Sequence, residues 1–235
     1  MNPIVSEMRE DQMPPKAKFT REEIIDTALN LLRQRGTAAL TCRDIAAALG
    51  TSTRPIFTYF RTMDELKTEV RLSAENLYRK YSSEGLKEEI PFLGFGVQFV
   101  RFAREEPELY RLLFLTPPAE GESGALLAME HTRDLVLESI CRIYSMDEAT
   151  ADFFFRRMWL VGYSVSVLVV TGGCTYSDDE IKRIFTAFAV GLCKACKEIP
   201  GFISGDFDRD KVFGSITKSL GTEDNGINNE NIKDR

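Results

Sequence analysis

Cys193 and Cys196, three residues apart, and His131, the single histidine, are the side chains from which redox or metal chemistry would first be sought. A zinc site needs about four ligands. The stretch AFAVGLCKACKE supplies two thiols, with no second cysteine pair and no companion histidine. No metal site is expected, and a thiol switch is the one remaining chemistry for this pair. The five cysteines are odd in number and irregular in spacing, so reduced thiols are the default rather than a disulfide framework. His131 stands among Glu130, Arg133 and Asp134 and reads as a surface residue. Neither a nucleophile with base and oxyanion donors nor a glycine-rich phosphate loop is present, so the chain reads as no enzyme and no cofactor is expected.

A different chemistry is carried by TSTRPIFTYF, residues 51 to 60, where small polar and basic side chains open an element ending in two aromatics. The net charge of the 235-residue chain is -6, which taken whole argues against a phosphate partner. Its distribution argues the other way. Residues 13 to 63 hold eight Lys and Arg against four Asp and Glu, a net +4, leaving -10 for the rest.

The elements that must position these residues are legible from periodicity and caps. Residues 1–18 mix proline, lysine and acids without periodicity and read as a flexible arm. Thr20 with Glu23 forms a capping box for a first helix, whose apolar Ile25, Ala28, Leu29 and Leu32 recur at helical spacing until Gly36. Thr41 with Asp44 repeats the signature for a short second helix ended by Gly50. Ser52 is the expected N-cap of a third, Thr53 to about Tyr59. Pro55 then falls in the first turn, where the N–H it lacks has no intrahelical partner. Ile56 and Phe60 are expected inside, and Thr53, Arg54 and Thr58 outside. Three short helices with glycine-containing turns, the third opening in polar and basic residues, are the pattern of a helix-turn-helix.

Further helices are expected at 64–81, 91–104, 107–115, 124–144, 148–170 and 178–198, with a last amphipathic stretch at 207–220 and a polar, disordered tail at 221–235. Pro117, Pro118, Gly121 and Gly124 mark the longest internal loop. VSVLVV, 165–170, is β-branched, but a strand would have no partner among helices. The uncharged run 158–177 breaks into TGGCTYS after Val170, too early to span a membrane. With no secretory signal pattern at the N-terminus, the expected location is cytoplasmic.

The segment FTREEIIDTALNLLRQRGTAALTCRDIAAALGTSTRPIFTYFRTMDEL resembles the DNA-binding domain of the TetR family of bacterial transcriptional regulators, with LTCRDIAAALG and FTYF carrying most of the match. The resemblance implies an all-α homodimer: a helix-turn-helix domain at 19–66 that binds a double-stranded DNA operator, and a larger regulatory and dimerisation domain at 67–220. A small ligand housed in the second domain would shift the spacing of the two reading helices, most simply as a repressor. Thr41 and Arg43 would lie at the backbone, and Thr53, Arg54, Thr58 and Tyr59 on the reading helix. Arg54 would read a base, since a bidentate arginine on guanine is worth about 1 to 3 kcal/mol of discrimination. Pro55, Phe57 and Met63 depart from the family's pattern, at 57 and 63 replacing the usual phosphate-contacting tyrosine and lysine. Lys16 and Lys18 of the arm are expected to compensate. A ligand-binding or scaffold protein of the same fold, with DNA binding weakened or lost, is the other reading.

In the second domain Phe95, Phe99, Phe102, Tyr110, Met129 and Trp159 are candidate lining for a pocket that would take an apolar or aromatic ligand. The same helical stripe is more often a filled core than a pocket. In DEIKRIFTAFAVGLCKACKEI an apolar stripe (Phe185, Phe188, Leu192) borders a small-residue row (Gly191, Ala195), the expected dimer interface.

Overall fold

The computed structural model describes residues 19–116 and 124–220. The arm with Lys16 and Lys18, the loop prolines 117 and 118, Gly121 and the tail 221–235 fall outside the described residues. Ten helices and no strand are found among the described residues.

The first three are α1 (Arg21–Arg35), α2 (Cys42–Ala48) and α3 (Arg54–Tyr59), with a 3-10 turn at Thr37–Ala39 between the first two. The α1 capping box forms as expected: Glu23 N–H donates to Thr20 Oγ1 at 3.1 Å and Thr20 N–H to Glu23 Oε2 at 2.8 Å. Thr41 caps α2, its hydroxyl accepting from Asp44 N–H at 3.1 Å. Gly36 and Gly50 end the two helices at φ +73° and +63°, a region that only glycine enters without strain.

The start of α3 differs from expectation. Its N-cap is Thr53, in helical geometry and without a side-chain cap, and Ser52 caps nothing. Pro55 is the physical reason. A cap at Ser52 would use the N–H at N2 or N3, and its N3 position is Pro55, which has none.

Helix α4 (Met63–Gly85) is longer than expected at both ends and runs without a break through the expected domain boundary at 66/67. Thr62 caps it through Glu65 N–H, and Glu65 in turn accepts from Arg61 N–H. Next come α5 (Pro91–Glu105) and α6 (Pro107–Tyr110), the latter continuing as a π-helical segment, Arg111–Leu115. Then α7 (Gly124–Tyr144), α8 (Glu148–Val170) and α9 (Asp178–Glu198) match their expected limits, and α10 (Arg209–Leu220) starts two residues late. The β-branched run 165–170 is the end of α8, as the lack of a partner strand requires.

Helix α5 lies at the centre, packed on α4, α8 and α9. Its aromatic stripe is core. Phe99 stands 5.0 Å from Trp159, 5.4 Å from Phe114 and 5.6 Å from Tyr110 (ring centroids), while Phe95 stacks on Trp159 at 5.9 Å. Of the six expected pocket residues, Phe95, Phe99, Phe102, Tyr110 and Trp159 are buried among one another and Met129 packs at their edge. They pack as core, which is the reading the stripe's periodicity favoured. Two glycines admit a further ring: a Cβ on Gly96 would come within 2.7 Å of the Phe185 ring and one on Gly162 within 3.2 Å. Phe185 is thus buried within its own chain and is removed from the expected dimer face.

Helix α8 is long and apolar enough to cross a membrane by composition, but ten of its residues are buried against α5, α7 and α9. It is the core helix of the second half. Among the described residues of α10 none is buried.

Candidate nucleic-acid interface

The first three helices form a small core from Ile24, Leu32, Ile45, Ile56 and Phe60, all fully buried. Helix α3 has only six residues, so its position depends on this packing more than on its own backbone bonds. With Ile56 and Phe60 inward, Arg54, Phe57 and Thr58 project outward on one exposed face. Thr53, half-buried, borders it. The Thr58 hydroxyl donates to Arg54 C=O at 3.2 Å and retains its lone pairs.

Two arginines of this region are committed to ion pairs. Arg21 Nη2 meets Glu69 Oε1 at 2.7 Å, its guanidinium 5.1 Å from the Phe60 ring centre, and Arg33 binds Glu106 at 2.8 and 2.9 Å. Hydrogen bonds to those carboxylates raise both guanidinium pKa values above their ordinary range. Arg43 at the start of α2, Arg54 on α3 and Arg61 just after it are different: all are exposed, and none has a carboxylate partner among the described residues. Their guanidinium donors are therefore open to solvent.

Thr41 is exposed, but its hydroxyl is already the α2 cap and also donates to the Asp44 carboxylate. The Tyr59 hydroxyl donates to Phe19 C=O at 2.7 Å, so the ring is half-buried and anchors α3 to the start of α1. The Thr41 cap is the one that the Thr41–Asp44 spacing announced, whereas nothing in the sequence signals the Tyr59 bond. Met63 does not point at an external phosphate: its sulfur accepts from the Cys42 thiol at 3.0 Å, locking α2 to the start of α4. Burial pushes the Cys42 pKa up, so that thiol stays protonated.

Elsewhere the sequence's other candidates are quiet. Cys193 and Cys196 are half-buried on α9, and burial raises the Cys196 pKa, the reverse of what an exchange-ready thiol needs. Among the described residues no cluster of three or more His, Cys, Asp or Glu could hold a metal ion. His131 is exposed on α7.

Residues 24–70 match the family model of bacterial regulatory proteins of the tetR family. An uncharacterised HTH-type transcriptional regulator of Mycobacterium tuberculosis is 21% identical over 180 residues, covering 75% of this chain and 81% of its own. The fold is similar to the crystal structure of a tetR-family transcriptional regulator from Streptomyces coelicolor, with a TM-score of 0.59 and 18% identity over 86% of this chain and 96% of that one. It is similar as well to a TetR-like transcriptional regulator from Rhodococcus sp. RHA1, with a TM-score of 0.55 and 15% identity over 74% of this chain and 98% of that one. The helix-turn-helix geometry and the matched segment agree: residues 24–70 are a helix-turn-helix domain of the tetR family of bacterial regulatory proteins, and the whole chain shares its all-helical fold with these relatives.

Proposed function

We propose that this chain is a cytoplasmic, homodimeric repressor and not an enzyme, that it binds a double-stranded operator through α2 and α3, and that a small apolar or aromatic molecule weakens its hold. The observation that carries the DNA half is the set of exposed arginines without carboxylate partners, Arg43, Arg54 and Arg61, on and beside α3. In this reading residues 19–66 are the reading head, with Arg54 on a base edge, Thr53 and Thr58 beside it, Thr41 and Arg43 at the backbone, and Tyr59 positioning the helix. Residues 67–220 regulate and dimerise.

Dimerisation is supported by exposed apolar side chains on α8 and α9. On α8, Leu160 and Leu168 are 60% and 47% exposed, and on α9 Phe188 is 56% exposed beside Gly191, Leu192 and Ala195. Exposed patches of this kind mark association surfaces, and two copies joined here give the two reading heads a half-site each.

Ligand response is supported by a cavity of about 240 Å³ with an apolar side (Tyr78, Leu113, Phe114, Leu127, Ala128) and a polar rim of Arg71, Glu75, Arg79 and His131. Because α4 is one helix from the reading head into this cavity's wall, occupancy would bias the position of α4.

A salt series of fluorescence anisotropy, using the DNA upstream of the gene against scrambled DNA of equal length, is the direct test. Tight, sequence-dependent binding with a steep salt slope is expected. Weak binding to both favours the second reading, a ligand-binding protein of this fold that has lost DNA affinity; Met63, turned onto Cys42 rather than outward, is the observation on that side.

A further inference from the structure

The flank of α9 opposite the proposed dimer face lines a second cavity, of about 360 Å³, walled by the start of α5, the end of α7 and α8. Phe92, Met158 and Phe185, all buried, form its floor, and Ala189, Val190 and Cys193 form its α9 side. These α9 positions follow helical spacing. They point away from Phe188, Gly191 and Ala195, so that pairing through the dimer face leaves the groove open.

Polar groups are few, and each can donate a hydrogen bond. The hydroxyls of Tyr144 and Thr186 and the ammonium of Lys194 line the groove, and none has a hydrogen-bond or ion-pair partner among the described residues. Burial raises the Tyr144 pKa, so its hydroxyl keeps the proton that it would donate. The opposite end, at Ile90 and Leu93, adjoins a depression where Glu88 and Glu89 stand beside Lys182 and the Arg101–Asp178 ion pair. Lys194 is the one charged side chain among the groove's own lining. Apolar pockets with a few placed polar groups are what small-molecule sites look like.

We infer that this groove binds a small apolar monocarboxylate, its hydrocarbon part on Phe92, Met158 and Phe185 and its carboxylate at Lys194. The binding claim stands apart from the cavity beside α4. Only a consequence for operator affinity rests on the regulatory reading above.

Isothermal titration of the full chain with octanoate, 1-octanol and octylamine tests it. Octanoate is expected to bind saturably, at least about tenfold tighter than octanol, because a charge-assisted bond to a carboxylate is worth about one decade. Lys194→Glu, an exposed change that leaves the core untouched, is expected to lose that decade and to favour octylamine. Ala189→Phe is expected to block all three by filling the groove. Equal affinity for octanoate and octanol, unchanged octanoate binding by Lys194→Glu, or no saturable binding would each overturn the inference. Anisotropy on operator DNA with and without octanoate is run separately. Failure to bind DNA would sink the regulator and leave the groove standing, whereas loss of octanoate binding with DNA binding intact would do the reverse.

Discussion

Arg54 and Phe57 share the exposed face of α3 with Thr58, and they are there for different reasons. Replacing Arg54 with alanine is expected to cost about 1 to 3 kcal/mol of operator affinity and to relax preference at one base pair, measured against a position-scanned DNA library. Phe57, 50% exposed, offers a ring and no hydrogen bond. Phe57→Tyr supplies a hydroxyl on the same face, and tighter binding with a steeper salt slope is expected in the anisotropy titration; unchanged binding would show that no phosphate lies within its reach. The outward turn of Arg54 and Thr58 was legible in the sequence, because Ile56 and Phe60 fix the helix's rotation, whereas Thr53, also expected outside, is half-buried. The bond from Tyr59 to Phe19 was not, since it joins residues forty positions apart through a backbone carbonyl that carries no sequence signal.

Helix limits were read almost to the residue wherever a side-chain cap marks them, as Ser177 with Glu180 does for α9 and Asp147 does for α8. They slipped where a backbone device takes over. Pro55 cancels the Ser52 cap, and the sequence at 111–115 does not announce a π-helical turn. Packing between elements was the least legible level. The stripe from Phe95 to Phe102 has the same periodicity whether it lines a pocket or fills a core, and only the surrounding rings of Tyr110, Phe114 and Trp159 decide. The crossing of α4 and α5 is closer than any pattern reveals: a Cβ on Gly94 would lie 2.2 Å from Gly85 O. Gly94→Ala would gain up to about 1 kcal/mol of helix propensity but must displace backbone, and overpacking of about 1 to 3 kcal/mol or more wins. A lowered melting temperature by calorimetry is expected.

For the molecule as a whole, the same comparison separates the two faces of α9. Phe185 looked like an interface residue by spacing, yet the gaps at Gly96 and Gly162 admit it to the core, while Phe188 stays exposed. Phe188→Glu is therefore expected to shift the proposed dimer toward monomer in light scattering without lowering the melting temperature extrapolated to low concentration. Acid sensitivity is the other global property. Desolvation opposes ionisation of Asp178, but hydrogen bonds from Arg101 and Arg104 outweigh it and hold its pKa below the ordinary carboxylate value. A depressed folded-state pKa contributes stability above about pH 4 that is lost as the pH falls through the folded value. Asp178→Asn is expected to lower stability at pH 7 and to flatten the decline below pH 4 in denaturant titrations.

The bond that Tyr59 makes to the Phe19 carbonyl also holds residue 19 against α3. If α3 reads the operator as proposed, a fluorophore placed at residue 19 would sit beside the DNA and could disturb the titrations above, so a label on α10, whose described residues are none of them buried, is the safer choice.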